Sequence, residues 1–195
     1  MTIKSAFWRI YNTLRLKYLG VSIGRKPDIK YHIYLSIHRN SKVIIGDNFT
    51  FFSDCALNPL SRNLKGGICI NPNAELIIGN NVGISASSLR VRNSIKIGDR
   101  VTIGADCILL DSDGHSLDYR CRGTVNDIPV SKPIIIEDDV LIGARTIVLK
   151  GVTIGARSVI GSGSVVVHDI PADCIAAGNP CRIIRNINTL GGGGK

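Results

Sequence analysis

The stretch 133–167, PIIIEDDVLIGARTIVLKGVTIGARSVIGSGSVVV, repeats itself every six residues. An aliphatic side chain returns at Ile136, Ile142, Val148, Ile154, Ile160 and Val166. Two positions before each stands Ile134, Val140, Thr146, Val152, Ser158 or Ser164. No helical period fits a strict step of six. Side chains alternate across a strand, so each repeat residue and the one two before it face the same way. Between them come turn-like triplets such as EDD, GAR, LKG and GSG. Gly, Asn and Asp tolerate the positive φ that a sharp bend requires. Short strands that bend every six residues wind into a parallel β-helix, in which each coil completes the hydrogen bonds of the coil below.

The same register runs backwards through Leu109, Ile103 and Ile97, each preceded two positions earlier by Cys107, Val101 or Ile95. It continues at Ile84 and Ile78 and starts at Ile45, Phe51 and Leu57. The alternate, outward positions Ile135, Leu141, Ile147, Val159 and Val165 are also apolar. Apolar exteriors imply that something covers them, most simply further copies of the chain.

The composition agrees with one such domain. The 195 residues are 44% hydrophobic but only 5% aromatic, so the core is built from Ile, Val, Leu and Ala. Gly is frequent (21) and Pro scarce (7), which suits many tight turns. A net charge of +9 favours anionic ligands or surfaces. The charges form no long run and no aromatic–basic cluster, so no nucleic-acid partner is expected. The six cysteines show no CxxC spacing and no histidine pair nearby, which argues against a disulfide framework or a zinc site. With no cleavable signal or membrane-spanning run, the reading is a reduced, cytoplasmic protein.

Three interruptions break the register. An excursion, NPLSRNLKGGICINPN, lies between Leu57 and Ile78, and the step from Ile84 to Ile97 slips by one residue. The largest gap separates Leu109 from Ile136 and begins DSDGHS. Loops on a rigid scaffold are where binding and chemistry concentrate. His115 stands at the start of this one, beside Gly114, and histidine exchanges protons near neutral pH. Asp111, Asp113 and Asp118 flank it, and Asp113 is the candidate to orient the ring. His32 and His38 precede the repeats and His168 sits in a turn. A metal-dependent hydratase on this scaffold needs three converging histidines, and only His115 is available at the loop.

The run IGARTIVLKGVTIGARSVIGSGSVVVHDIPADCIAAGNPCRIIR resembles the hexapeptide-repeat acyltransferases, particularly sugar O-acetyltransferases related to galactoside and maltose acetyltransferases. The likeness is closest over 133–187 and extends more loosely back to 41. It implies an all-β, left-handed parallel β-helix and a homotrimer with active sites between subunits. Periodicity does not give that hand, and the usual rule for parallel crossovers favours the opposite one. The resemblance further implies that His115 is the general base of acetyl transfer from acetyl-CoA to a hydroxyl, with no metal. It places the Ala144 N–H at the oxyanion, Ser162, Val167 and His168 along coenzyme A, and Arg182 and Arg185 at its phosphates. Ser85 and Asn93 fall where relatives contact sugar hydroxyls, and Asp113 joins them on the acceptor side. Ser85 reads equally as a coil-turn residue. The DSDGHS loop start is similar to that of acetyltransferases serving bacterial surface polysaccharides. Acetylation of an antibiotic hydroxyl, or a scaffold subunit without chemistry, are the competing readings.

The domain reading is therefore a helical or irregular segment 1–40, a β-helix 41–186 with an active-site loop 111–132, and a flexible tail 187–195. Within the first segment, Phe7, Ile10, Tyr11, Leu14 and Tyr18 alternate with Lys4, Arg9, Arg15 and Lys17 as an amphipathic helix. Such a helix touches an anionic membrane or, as expected here, caps the open end of the β-helix or packs on a neighbour.

Overall fold

A computed structural model describes residues 3–53, 58–61 and 65–187. The chain is a three-sided left-handed parallel β-helix. Its first face stacks strands from Ser22–Ile23 to Thr153–Ile154. Its second runs from Asp28–Lys30 to Cys174–Ala177, and its third from Tyr34–Ile37 to Val165–Val166. The repeat positions are in register across coils. Ile45, Ile78, Ile97, Ile136 and Ile154 form one column, and Phe51, Ile84, Ile103, Ile142 and Ile160 another. All of them, and the residues two before each, are buried in a single core. The polar members of that set are satisfied inside it. Thr146, Ser158 and Ser164 donate their hydroxyls to the carbonyls of Gly143, Pro171 and Gly161.

Two boundaries differ from the sequence reading. The coils begin at Ser22 rather than at residue 41, because Ile23, Ile29 and Leu35 already pair with Ile45, Phe51 and Ile68. The third-face strand of the next coil is Gly67–Ile70. Leu57, read as that repeat position, lies outside the described residues, as do Cys55 and positions 188–195 of the tail. At the far end, Arg182–Asn186 turns back antiparallel on Cys174–Ala177 and closes the second face.

The bends use the left-handed backbone region, but not only through Gly, Asn and Asp. Arg100, Arg145 and Arg157 also have φ of 57–62°. Stacking explains the choice. Arg100 forks onto Asp139 of the next coil at 2.6 and 2.8 Å, and Arg157 onto Asp173 at 2.7 Å. Forked charge-assisted hydrogen bonds along an edge offset the backbone strain. Glycine is needed where coils stack closest. A Cβ on Gly104 would stand 2.6 Å from the Ala144 nitrogen.

The helix Ile3–Tyr18 lies against the first coil, at the open end of the β-helix. Leu16 and Asn12 are buried, and Asn12 donates to the carbonyls of Ile29 and Tyr31. Trp8 packs edge-on against His32. The apolar stripe from Phe7 to Tyr18 faces outward.

Candidate active site

The long loop leaves the prism after Ile108–Leu110 and rejoins it at Ile134–Ile136. Its base is pinched by a Ser112–Ser131 bridge, by Asp113 N–H to the Val130 carbonyl, and by Lys132 N–H to the Asp111 carbonyl. Asp111, fully buried, turns its carboxylate back onto the coil below and accepts the N–H groups of Arg92 and Asn93 at 2.8 and 2.7 Å. That anchor holds the turn at Arg92 and Asn93 beneath the loop. Burial pushes the Asp111 carboxyl above its ordinary range, against the opposing pull of these amides.

His115 is fixed by a residue that sequence reasoning missed. Its Nδ1 lies 2.8 Å from Asp127 Oδ2, twelve residues on. Asp127 also accepts the Ser116 N–H at 2.6 Å and the Gly123 N–H at 2.9 Å. The Gly123 and Ser116 amides first, then the imidazole, hold its carboxyl well below the usual range. An ionised carboxylate only accepts, so the ring proton belongs on Nδ1 and the Nε2 lone pair is left free. The Asp127 side chain is 12% exposed and the His115 side chain 74%. The carboxylate is covered and the imidazole is open.

Asp113 is therefore not the orienter. Its Oδ1 holds Lys150 Nζ at 2.5 Å, while its buried Oδ2 has no hydrogen-bond partner among the described residues. Asp118 is taken by Arg120. A cavity of about 350 Å³ opens beside the histidine, lined among others by Cys69, Asn71, Arg90, Arg92, Asp113 and His115. Arg90 and Arg92 were not singled out from sequence, although their alternation in LRVRN on a strand end was a visible signal. Among the described residues, no cluster of three or more His, Cys, Asp or Glu side chains is placed to hold a metal ion.

The other sequence-predicted residues do not gather around His115. The structure sorts them onto different edges of the prism. Asn93, Asp113, His115, Val167 and His168 stand on the edge between the third and first faces. Ser85, Ala144 and Ser162 stand on the edge between the second and third. Asn93 is exposed, and Ser85 is half-buried with its carbonyl accepting the Ser87 hydroxyl. The Ala144 carbonyl accepts the Gly163 N–H, whereas the Ala144 N–H donates to nothing among the described residues. Arg182 and Arg185 are exposed on the antiparallel closing strand. Within one chain, His115 and the Ala144 amide lie on separate edges.

A model for the hexapeptide repeat of succinyl-transferase matches residues 94–114 and 133–167. Over those residues the chain carries the hexapeptide repeat, and it is similar to hexapeptide-repeat acetyltransferases. Over 95 residues it is 44% identical to the galactoside O-acetyltransferase of Escherichia coli K12, covering 49% of this chain and 45% of that protein. The chain thus spans about half the length of that curated relative. Two solved structures superpose along almost its whole length. A hexapeptide-repeat acetyltransferase from Vibrio cholerae, complexed with acetyl coenzyme A, is 26% identical, with a TM-score of 0.57 over 94% of this chain and 85% of that one. A galactoside acetyltransferase in complex with coenzyme A is 25% identical, with a TM-score of 0.57 over 97% and 86%.

Proposed function

We propose that this hexapeptide-repeat protein is an acetyl-CoA-dependent O-acetyltransferase acting on a carbohydrate hydroxyl, in the synthesis of a bacterial surface polysaccharide. The observation that carries the reading is the His115–Asp127 pair. An imidazole held by an ionised carboxylate, with its free nitrogen open to a cavity, is a general base and has no purpose in a bare scaffold. The acetyl-CoA and coenzyme A complexes of the two similar structures support the donor. The likeness to galactoside O-acetyltransferase supports the acceptor class.

His115 Nε2 takes the proton of the acceptor hydroxyl as its oxygen attacks the thioester carbonyl carbon. The carbonyl oxygen becomes an oxyanion facing the Ala144 N–H, a donor with no partner among the described residues. The C–S bond then breaks, the acetyl ester forms, and the imidazolium returns its proton to the departing thiolate. Ser162, Val167 and His168 line the pantetheine path, and Arg182 and Arg185 reach the nucleotide phosphates. On the acceptor side, the unpartnered Asp113 Oδ2 is available to a sugar hydroxyl, with Ser85 and Asn93 contributing from their two edges.

Because His115 and Ala144 stand on different edges, the site is completed by pairing one copy's loop edge with its neighbour's amide edge. The apolar outward residues Ile135 and Leu141, both exposed in the single chain, support such an assembly, read here as a homotrimer. The dependence on acetyl-CoA favours a cytoplasmic setting. The test is release of coenzyme A thiol from acetyl-CoA across sugars, nucleotide sugars and antibiotics. His115→Ala should abolish turnover while keeping the fold. Turnover unchanged in that variant, or confined to antibiotics, rejects the reading.

A further inference from the structure

We infer that the cavity beside His115 is built for an acceptor carrying an anionic group, bound by Arg90 and Arg92; this rests on the acetyltransferase reading above. Arg90 projects from the third face in an outward column with Ser36, Cys69, Leu110 and Leu149, none of which carries a balancing charge. Arg92 lies just beyond the strand end. The nearest buried carboxylate, Asp111, spends its oxygens on the backbone amides of Arg92 and Asn93. The acid that does line the cavity, Asp113, is neutralised by Lys150. Neither arginine makes an ion pair or side-chain hydrogen bond among the described residues. Two uncompensated guanidinium groups therefore share a wall with the base. Guanidinium only donates, and its fork matches carboxylate and phosphate oxygens. A neutral sugar would leave both charges unanswered, whereas an acidic or phosphorylated sugar answers them and presents a hydroxyl to His115.

The test compares glucose, glucuronate and glucose 6-phosphate with the intact chain and with the double variant Arg90→Gln/Arg92→Gln. Saturation-transfer NMR reads binding, and thiol release from acetyl-CoA reads turnover. Losing charge-assisted contacts should raise the KM or binding constant for the preferred anion by roughly tenfold or more, with glucose unchanged. The two anionic arms separate carboxylate from phosphate recognition. Equal binding of all three sugars, or an anion preference that survives in the double variant, overturns the subsite. Anion-selective binding with no turnover of any acceptor upholds the subsite and overturns the acetyltransferase reading instead.

A separate observation concerns the N-terminal helix, and the geometry points to an anionic lipid surface as its partner. Phe7, Ile10, Leu14 and Tyr18 on its outer face are 58, 57, 61 and 84% exposed. Normally the solvent side of a packed helix is polar. Here the polar Asn12 faces in and the apolar stripe faces out, at the end of the prism and away from the edges that carry the site. The first 27 residues hold Lys4, Arg9, Arg15, Lys17, Arg25 and Lys26 and no acid. Arg25 is engaged by Asp47, while Arg9 and Lys26 flank Ile10 and Leu14 around an open groove. An apolar stripe rimmed by cations complements anionic headgroups over acyl chains. No helix among the described residues is long and apolar enough to cross a membrane, so the contact is peripheral.

Co-sedimentation with vesicles of phosphatidylcholine alone and of phosphatidylcholine with phosphatidylglycerol tests this. Binding should require the anionic lipid, weaken with salt, and fall by roughly tenfold or more in Ile10→Asp/Leu14→Asp. Wild-type protein that ignores anionic vesicles, or a variant that binds them undiminished, overturns the proposal. So does a variant whose only change is a smaller assembly by sedimentation, since the stripe would then be covered by another copy.

Discussion

Replacing Asp127 with Asn removes one charge and exchanges one oxygen for an NH2 group at the hub of the long loop. Oδ1 accepts Ser116 N–H at 2.6 Å, and Oδ2 accepts Gly123 N–H at 2.9 Å and faces His115 Nδ1 at 2.8 Å. With the ring proton on Nδ1, every partner is a donor, so the new NH2 meets a donor whichever way the amide is turned. Placed at Oδ2, it keeps the histidine contact only if Nδ1 gives up its proton. That proton then occupies Nε2, the nitrogen needed as the base. Placed at Oδ1, it leaves Ser116 N–H unpaired and loosens the loop. General-base catalysis is worth about 10²–10⁴ in rate, and the comparable exchange in a Ser-His-Asp triad costs about 10⁴. The expected loss in kcat is therefore about 10²–10³-fold, with KM for acetyl-CoA within about twofold because the helix edges are untouched. Continuous thiol release with the best acceptor measures it, and a thermal melt verifies the fold. A folded Asp127→Asn enzyme within about threefold of wild type would refute the assignment of Asp127 as the positioning residue.

Asp127 also carries a pH prediction. A carboxyl held below its ordinary range contributes stability that is fully present above the unfolded value and disappears as pH falls through the folded one. Loop closure should accordingly persist in mild acid, read as hydrogen-exchange protection of the Ser116 and Gly123 amides. Asp111 behaves oppositely. Its raised carboxyl makes ionisation unfavourable, so urea midpoints should decline as pH rises from the ordinary carboxyl value through the raised folded one, and Asp111→Asn should flatten that slope at lower overall stability. Gly104→Ala forces a Cβ to 2.6 Å from the Ala144 nitrogen, so it should cost about 1–3 kcal/mol in urea denaturation. Leu89→Ala empties a fully buried site on the third face and should cost about 2–5 kcal/mol by the same measurement.

The fold was legible because a strand reports its two faces residue by residue, and six-residue spacing leaves no other regular structure. Even the first coil kept that spacing at Ile23, Ile29 and Leu35. It was overlooked because Arg-Lys-Pro and Tyr-His replace the usual turn triplets between them. His115 was legible from where the register breaks. Asp127 was not, since its contact depends on how the loop folds back and no local spacing encodes that. The arginine–aspartate ladders join residues 16 and 39 positions apart, so they appear only once coils are stacked. The helix shows the limit of pattern reading. Its apolar stripe was visible, but the direction it faces was decided by Asn12 and Leu16 docking onto the first coil.

The decisive measurement is complementation between two inactive chains, His115→Ala and Ser162→Trp, the second blocking the edge that carries Ala144. Each alone should be inactive. Unfolded together and reassembled at equal amounts, they should regain about a quarter of wild-type activity, because about one site in four then joins an intact loop to an intact neighbouring edge. Mixed assemblies of the two chains that stay fully inactive would mean that base and amide act within one copy, contradicting a site shared across the prism edges.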